Sequence, residues 1–401
     1  MNTYSRRTAA GNRERTTMFS TPHHPGRFSR MTGAVALAAV AGLALAGCSG
    51  INSSAAGEGD GSGETVTWTL VTGAQADTPN AAVQNWFLDR VEEATDGRIS
   101  FERTATEALC KAPEVADCVR DGRAQIGVTV PDYTPQYFPS TSMVSIPFLS
   151  QNAQAAMQSI YDLHEDYAPA QAIMERNGLH HVATWPVGRF LLGGHEPIES
   201  VAQFQGAQVR VSGPIIQQAI GDQGANIVAV TAPETYEAVE RGVVSTIGGA
   251  IDFPVNYGLM ELLPDWTDPG IGQYSTFGMW VNAEAYDALP DDLREQFDQI
   301  AEELNTGAGI AAFNEVAAGQ CQQMQDAPTV ESLNAWDEAD TQAWQDALGD
   351  SGQEMWIELA TEQGLEDAEG VLERYIAGLE TYDDAAYDDA TVACVASFEN
   401  R

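Results

Sequence analysis

Gln208-Val209-Arg210-Val211-Ser212-Gly213-Pro214 sets an arginine between two valines and then breaks the run with serine, glycine and proline. Residues 209–211 read as a short strand. Pro214 opens the helix that follows, because a proline in the first helical turn has no N–H to leave unpaired. Working outward, the same punctuation recurs. Residues 227–230 read as a strand before a helix opened by Pro233 and closed at Gly242, and residues 243–251 as an apolar, glycine-rich strand that approaches a cleft closely. Upstream, Val66, Trp68 and Leu70 alternate with threonines as a half-buried strand should. Asp77-Thr78-Pro79 then starts a helix with Val83, Phe87, Val91 and Ala94 on one face, stopped at Gly97. Strands follow at 99–101, 126–130 and 181–187, with a short helix at 113–119 and a long one at 153–175. Residues 274–281 read as a long crossing strand, and from Pro290 onward the pattern is helical to Arg401.

Strand–helix alternation implies mostly parallel sheets. Two such blocks and a helical tail predict an α/β protein of two lobes with a cleft between them. Ligands of open α/β sheets gather at the carboxyl ends of the strands.

The N-terminal stretch carries its own signal. Arg27 and Arg30 precede an apolar run from Met31 that closes on Leu45-Ala46-Gly47-Cys48. The run is shorter than the roughly 20 apolar residues of a membrane span, so it reads as an export leader. Its end is a lipobox, where a diacylglyceryl group joins Cys48 before cleavage. The chain would then be held outside the cell, at the membrane, by that lipid. Residues 49–64, rich in Gly, Ser and Ala, read as a flexible tether. Arg6-Arg7 raises a twin-arginine reading, a weak one because the pair sits over twenty residues before the apolar run, and Met18 is an alternative start.

Charge narrows the partners. The chain has 19 basic and 58 acidic residues, and Lys111 is the only lysine. Such a surface excludes nucleic acid and repels anionic lipid. An arginine that binds an anion here must therefore act locally, in a closed and desolvated cleft. Besides Cys48 there are four cysteines. An even number outside the cell suggests two disulfides, Cys110 with Cys118 in a short loop and Cys321 with Cys394 stapling the tail. Metal binding is the rival reading, but the spacing fits no compact Cys/His pattern, and His180-His181 points to opposite faces of a strand. No metal or cofactor is assigned. Val211-Ser212-Gly213 lacks the Gly-x-Ser-x-Gly frame of a nucleophile elbow, and His195-Glu196 lacks the second histidine of a zinc-protease helix. The chain reads as no enzyme, with no catalytic residue.

Several segments, in this order, carry a family resemblance. They are Glu93-Ala94-Thr95-Asp96-Gly97-Arg98-Ile99, Asp121-Gly122-Arg123-Ala124-Gln125-Ile126-Gly127, and Ile146-Pro147-Phe148. Phe204-Gln205-Gly206-Ala207-Gln208-Val209-Arg210-Val211 and the stretch from Pro233 to Val244 complete the set. Over about residues 66–304 the chain resembles the extracytoplasmic solute receptors of tripartite ATP-independent periplasmic (TRAP) transporters, often called dicarboxylate-binding. The resemblance implies a periplasmic-binding-protein-like fold with a long helix bridging both lobes. It further implies capture of a small organic acid and delivery to a TRAP membrane permease, with a binding protein for an ATP-driven importer or a membrane sensor as the alternative. The implied organisation is a leader at 1–47, a tether at 48–64 and a first lobe at 65–187 completed by about 276–330. The second lobe is 188–275, and C-terminal helices at 331–401 pack on the lobes.

Within that frame Arg210 would hold the ligand carboxylate, since a guanidinium offers a planar, two-pronged donor that lysine does not reproduce. Arg189 is the second basic candidate, with an interlobe salt bridge as its other reading. Tyr133 could offer a hydroxyl from the first lobe, and Asp252 and Phe253 face the cleft mouth. Glu234 reads as a brace for its own helix. The chain also departs from the family: Ser245-Thr246 stands in place of Asp-Gly, and Ala250 or Ile251 in place of a polar contact. That favours a monocarboxylate with an apolar or aromatic body.

Overall fold

The computed structural model describes residues 63–383 and 387–398. The expectations for the leader, for lipid on Cys48 and for nearly all of the tether fall outside them. In chain order the strands are β1 (Val66–Thr72), β2 (Ile99–Arg103), β3 (Ile126–Thr129), β4 (Leu179–Pro186), β5 (Leu191–Gly194) and β6 (Gln208–Arg210). They continue as β7 (Asn226–Ile227), β8 (Thr246–Gly249), β9 (Asp265–Asp268), β10 (Thr276–Asn282) and β11 (Ser332–Ala335).

Two sheets form, and they define two lobes. The first has the order β2-β1-β3-β10-β4 and the second β11-β9-β5-β8-β6-β7. In the first, β1 is parallel to both neighbours, with Val66 opposite Ile99 and Leu70 opposite Ile126. In the second, β6 lies between β7 and β8, parallel to both. Local chemistry sets the helices that cover them. Thr78, in extended conformation, caps helix Pro79–Ala94 by accepting from the Ala81 N–H at 3.1 Å, and Pro79 stands in the first turn. That helix buries Val83, Phe87, Leu88 and Val91 against the first sheet's core.

Two extended crossings pass between the sheets, from β4 to β5 and back from β9 to β10, and a helical connection then leads from β10 to β11. The two crossings run antiparallel and bond to each other: Phe190 N–H to Gly272 O at 3.0 Å, and Tyr274 N–H to Gly188 O at 3.2 Å. A long helical run, Asp291–Glu303, Leu304–Ala308 and Gly309–Asp326, spans both lobes. It packs on helix Pro79–Ala94 and on the short helix Asp252–Val255. Its middle piece is a π-type turn with Gly307 at φ +155°, a backbone that only glycine adopts readily. Disulfides join Cys110 to Cys118 and Cys321 to Cys394.

Four readings of the elements need correction. The tail is not wholly helical: β11 adds a parallel strand beside β9, with Ser332 opposite Asp265 and Leu333 opposite Trp266. The helix read over 153–175 is two helices, Ala153–Asp166 and Ala168–Asn177, parted at Tyr167. Pro169 has no N–H for the carbonyl four residues back, so the helix restarts instead of continuing. The strands read at 227–230 and 243–251 are shorter, Asn226–Ile227 and Thr246–Gly249.

Candidate ligand-binding site

A cavity partly open to solvent lies between the lobes. The first lobe contributes Asn80, Thr129 and Tyr133, and the second Arg210, Asp252, Phe253 and Tyr257. The returning crossing and the start of β10 add Tyr274 and Phe277. The walls thus combine five aromatic rings with small and aliphatic side chains and a few convergent polar groups, the pattern of a small-molecule site.

Arg210 is the last residue of β6 and is 1% exposed. Its Nε donates to Val230 O at 3.1 Å and a terminal nitrogen donates to Gly248 O at 3.3 Å. Phe253 lies under the guanidinium, 4.8 Å from ring centre to Cζ. Two backbone carbonyls and a ring face therefore orient the side chain without neutralising it. Among the described residues no carboxylate forms an ion pair with Arg210. An anion entering the cavity would meet this cation uncompensated.

Glycine at 248 permits this arrangement. A Cβ there would sit 2.4 Å from Val211 Cγ1 and 2.5 Å from the Phe190 ring. The two glycines after Ile247 let β8 lie flat against its neighbours and bring its carbonyl to Arg210.

Around the cation stand hydroxyls. Tyr133 accepts from the Ala232 N–H at 3.1 Å, so its one hydroxyl proton is left to donate. Tyr274 accepts from the Ser212 N–H at 3.0 Å and donates to Gly248 O at 3.5 Å. Burial pushes both phenols up, against the opposing pull of Arg210, so both stay protonated. Asp252, 5% exposed, is pushed up to about 7 by burial, partly offset by hydrogen bonds and by Arg210. Its Oδ2 accepts from Asn80 Nδ2 at 3.5 Å, while its buried Oδ1 has no partner.

Of the residues singled out by sequence, Arg210, Tyr133, Asp252 and Phe253 come together here. Arg189 does not: it lies on the first crossing, ion-paired with buried Asp268 and bonded to Gln151 at 3.2 Å. Glu234 braces its helix, accepting from Thr231 N–H at 2.9 Å and Thr231 Oγ1 at 2.7 Å. Sequence reasoning missed Asn80, Tyr257 and Tyr274. Asn80 follows the proline of a helix that leaves a sheet's carboxyl edge, which was a usable signal. It also missed Asp132, on an adjoining cavity that shares Tyr133 and Ser212. Burial pushes Asp132 up to about 6, opposed by a 2.6 Å hydrogen bond from Ser275.

The model of bacterial extracellular solute-binding protein, family 7 (DctP) matches residues 70–359. Solved structures share the fold. A TRAP solute-binding protein from a marine metagenome, specific for aromatic acid ligands and bound to 3-hydroxybenzoate, is 21% identical with a TM-score of 0.72. That alignment covers 80% of this chain and all of the neighbour's. A Bordetella bronchiseptica TRAP protein with bound mandelate is 22% identical over 79% of this chain and 100% of its own, with a TM-score of 0.68. A Roseobacter denitrificans TRAP protein with bound β-D-glucuronate is 20% identical over 78% and 99%, with a TM-score of 0.64. An uncharacterized protein, y4mM of Sinorhizobium fredii, is 24% identical over 44% of this chain, and the match spans only 33% of that relative's length.

Proposed function

Since the chain belongs to bacterial extracellular solute-binding protein family 7, the solute-binding proteins of TRAP transporters, we propose that it captures a small organic monocarboxylate between its lobes and delivers it to a TRAP-type membrane permease. Arg210 takes the carboxylate, the Tyr133 hydroxyl adds a donor from the first lobe, and Phe253 walls the body of the ligand. Asp252 is a further contact. Arg189 acts at the crossing, where its ion pair with Asp268 ties the two connections, and not on the ligand. Lipid on Cys48 keeps the receptor outside the cell beside its permease.

The observation that carries this reading is a buried guanidinium, without an ion-pair partner among the described residues, in a cavity walled by both lobes. The aromatic lining favours a flat or apolar body, and two of the structural neighbours hold mandelate and 3-hydroxybenzoate. The test is calorimetry and thermal shift with a panel of carboxylates. A ligand at a hundredfold excess over its Kd stabilises the fold by about 2.7 kcal/mol. Arg210→Ala removes a buried charge partner and is expected to weaken binding by about 2–5 kcal/mol. Equal binding by the variant would remove Arg210 from the site.

A further inference from the structure

Two opposite charges share the cavity without pairing. Among the described residues Arg210 has no carboxylate in an ion pair with it, and the Oδ1 of Asp252 has no donor. A simple carboxylate satisfies the first need only. Once it is bound, Oδ1, already buried, stays without a donor, and the cost of that unsatisfied oxygen remains. A ligand that also carries a hydroxyl satisfies both needs.

We infer that Asp252 determines which acid is bound: its unpartnered oxygen accepts a hydrogen bond from a hydroxyl on the ligand, so the preferred solute is a hydroxylated monocarboxylate and a second carboxylate is disfavoured. This rests on the reading of Arg210 as the carboxylate anchor. The discrimination has a stated physical source. A site built to bond a hydroxyl rejects the analogue lacking it far more strongly than an apolar pocket rejects a missing methylene. A second carboxylate would face Asp252 as a like charge, tolerated only when Asp252 holds a proton.

The surroundings fix the sign with pH. Arg210 on β6 is the charged group acting on Asp252; Asn80 reaches it from helix Pro79–Ala94, and Tyr257 stands a turn beyond it. The long helix packs on the same turn through neutral Gln320, bonded to Asn256. Burial holds the Asp252 proton up to about pH 7. Above that the carboxylate accepts more strongly from a hydroxyl and repels a second carboxylate more. Preference for hydroxylated monoacids therefore grows with pH.

The test is calorimetry with benzoate, 3-hydroxybenzoate, 4-hydroxybenzoate and isophthalate at about pH 6 and about pH 8.5, on the parent protein, Asp252→Asn, Asp252→Ala and Arg210→Ala. At the higher pH the better hydroxybenzoate is expected to bind at least about tenfold more tightly than benzoate, with isophthalate weakest. Acidification should narrow both gaps. Asp252→Asn should remove the pH dependence and admit isophthalate, while Asp252→Ala should bring benzoate and the hydroxybenzoates within about threefold of one another. If neither hydroxybenzoate exceeds benzoate in the parent, or if the preference survives in Asp252→Ala, the inference is overturned while the anchor reading stands. Unchanged binding of all four acids in Arg210→Ala overturns the anchor reading instead. If none of the four binds the parent protein, both fall.

Discussion

Gly248 shows how a single missing side chain sets the chemistry of the cavity. Its carbonyl is shared by Arg210 and Tyr274, and its Cα faces Val211 and Phe190 at distances that leave no room for a methyl. Gly248→Ala would force β8 away from β6 and draw the carbonyl off the guanidinium. The variant is expected to lose about 1–3 kcal/mol in urea denaturation and, among molecules still folded, to bind carboxylates more weakly. A variant as stable as the parent would show that β8 can shift at no cost. At this scale sequence reading reached Arg210, Tyr133, Asp252 and Phe253, because each lies at or just after the end of a strand that could be located from its glycines and valines. It did not reach Tyr257 or Tyr274, whose place at the cavity depends on how the crossings turn. Nor could it choose between the two readings of Arg189, since Asp268 is remote in sequence and meets it only after the sheets assemble.

The contact between helix Ala153–Asp166 and β4 holds a titration device. His164 and His181 stack with ring centres 4.0 Å apart, both buried. His164 has two partners, Ser140 Oγ at 3.1 Å and Ile160 O at 2.9 Å, whereas His181 bonds only Thr184 Oγ1 at 3.0 Å and its Nδ1 has none. Burial pushes His164 down to about 4, and burial with the neighbouring imidazoles holds His181 well below its usual value. Both folded values lie below the unfolded one, so as pH falls from about 6.5 to about 4 the unfolded chain takes up protons that the folded one refuses. Stability should fall across that window, by up to about 3 kcal/mol for His164 alone. Buried Asp132 and Asp252 act with the opposite sign, because their raised values favour the folded state on acidification. Comparing the parent with His181→Phe, which keeps an aromatic ring in the stack, isolates the histidines. Denaturation midpoints of the variant are expected to be less sensitive to acid; equal slopes would remove His181 from the acid response. The elements themselves were legible where periodicity was strong, as in β1 and helix Pro79–Ala94. Strand β11 was not, because the alternation of Ser332-Leu333-Asn334-Ala335 is only four residues long and buries Leu333 alone, and pairing with β9 is what makes it a strand.

At the scale of the molecule, the two lobes, the paired crossings and the helix along both halves place one buried cation inside a chain of formal net charge −39. An anionic solute approaching from bulk water meets the field of the acidic exterior first. On the proposed reading Arg210 acts on it only once it is within the cavity, where water no longer screens the interaction. Salt shortens the reach of the outer field to about 10 Å at 0.1 M, and to less above that, but acts little on a desolvated pair. The two stages therefore respond differently to ionic strength. The association rate of a carboxylate should rise with salt, by several-fold between about 10 mM and about 300 mM, because the repulsive outer field is screened. Dissociation should change little. Trp185 offers a reporter, since its indole N–H bonds Asn80 Oδ1 at 3.1 Å and Asn80 lines the cavity. Stopped-flow fluorescence with a bound carboxylate would read both rates. An association rate that falls as salt is added would mean that attraction dominates the approach, and that the cation is felt outside the cleft and not only within it.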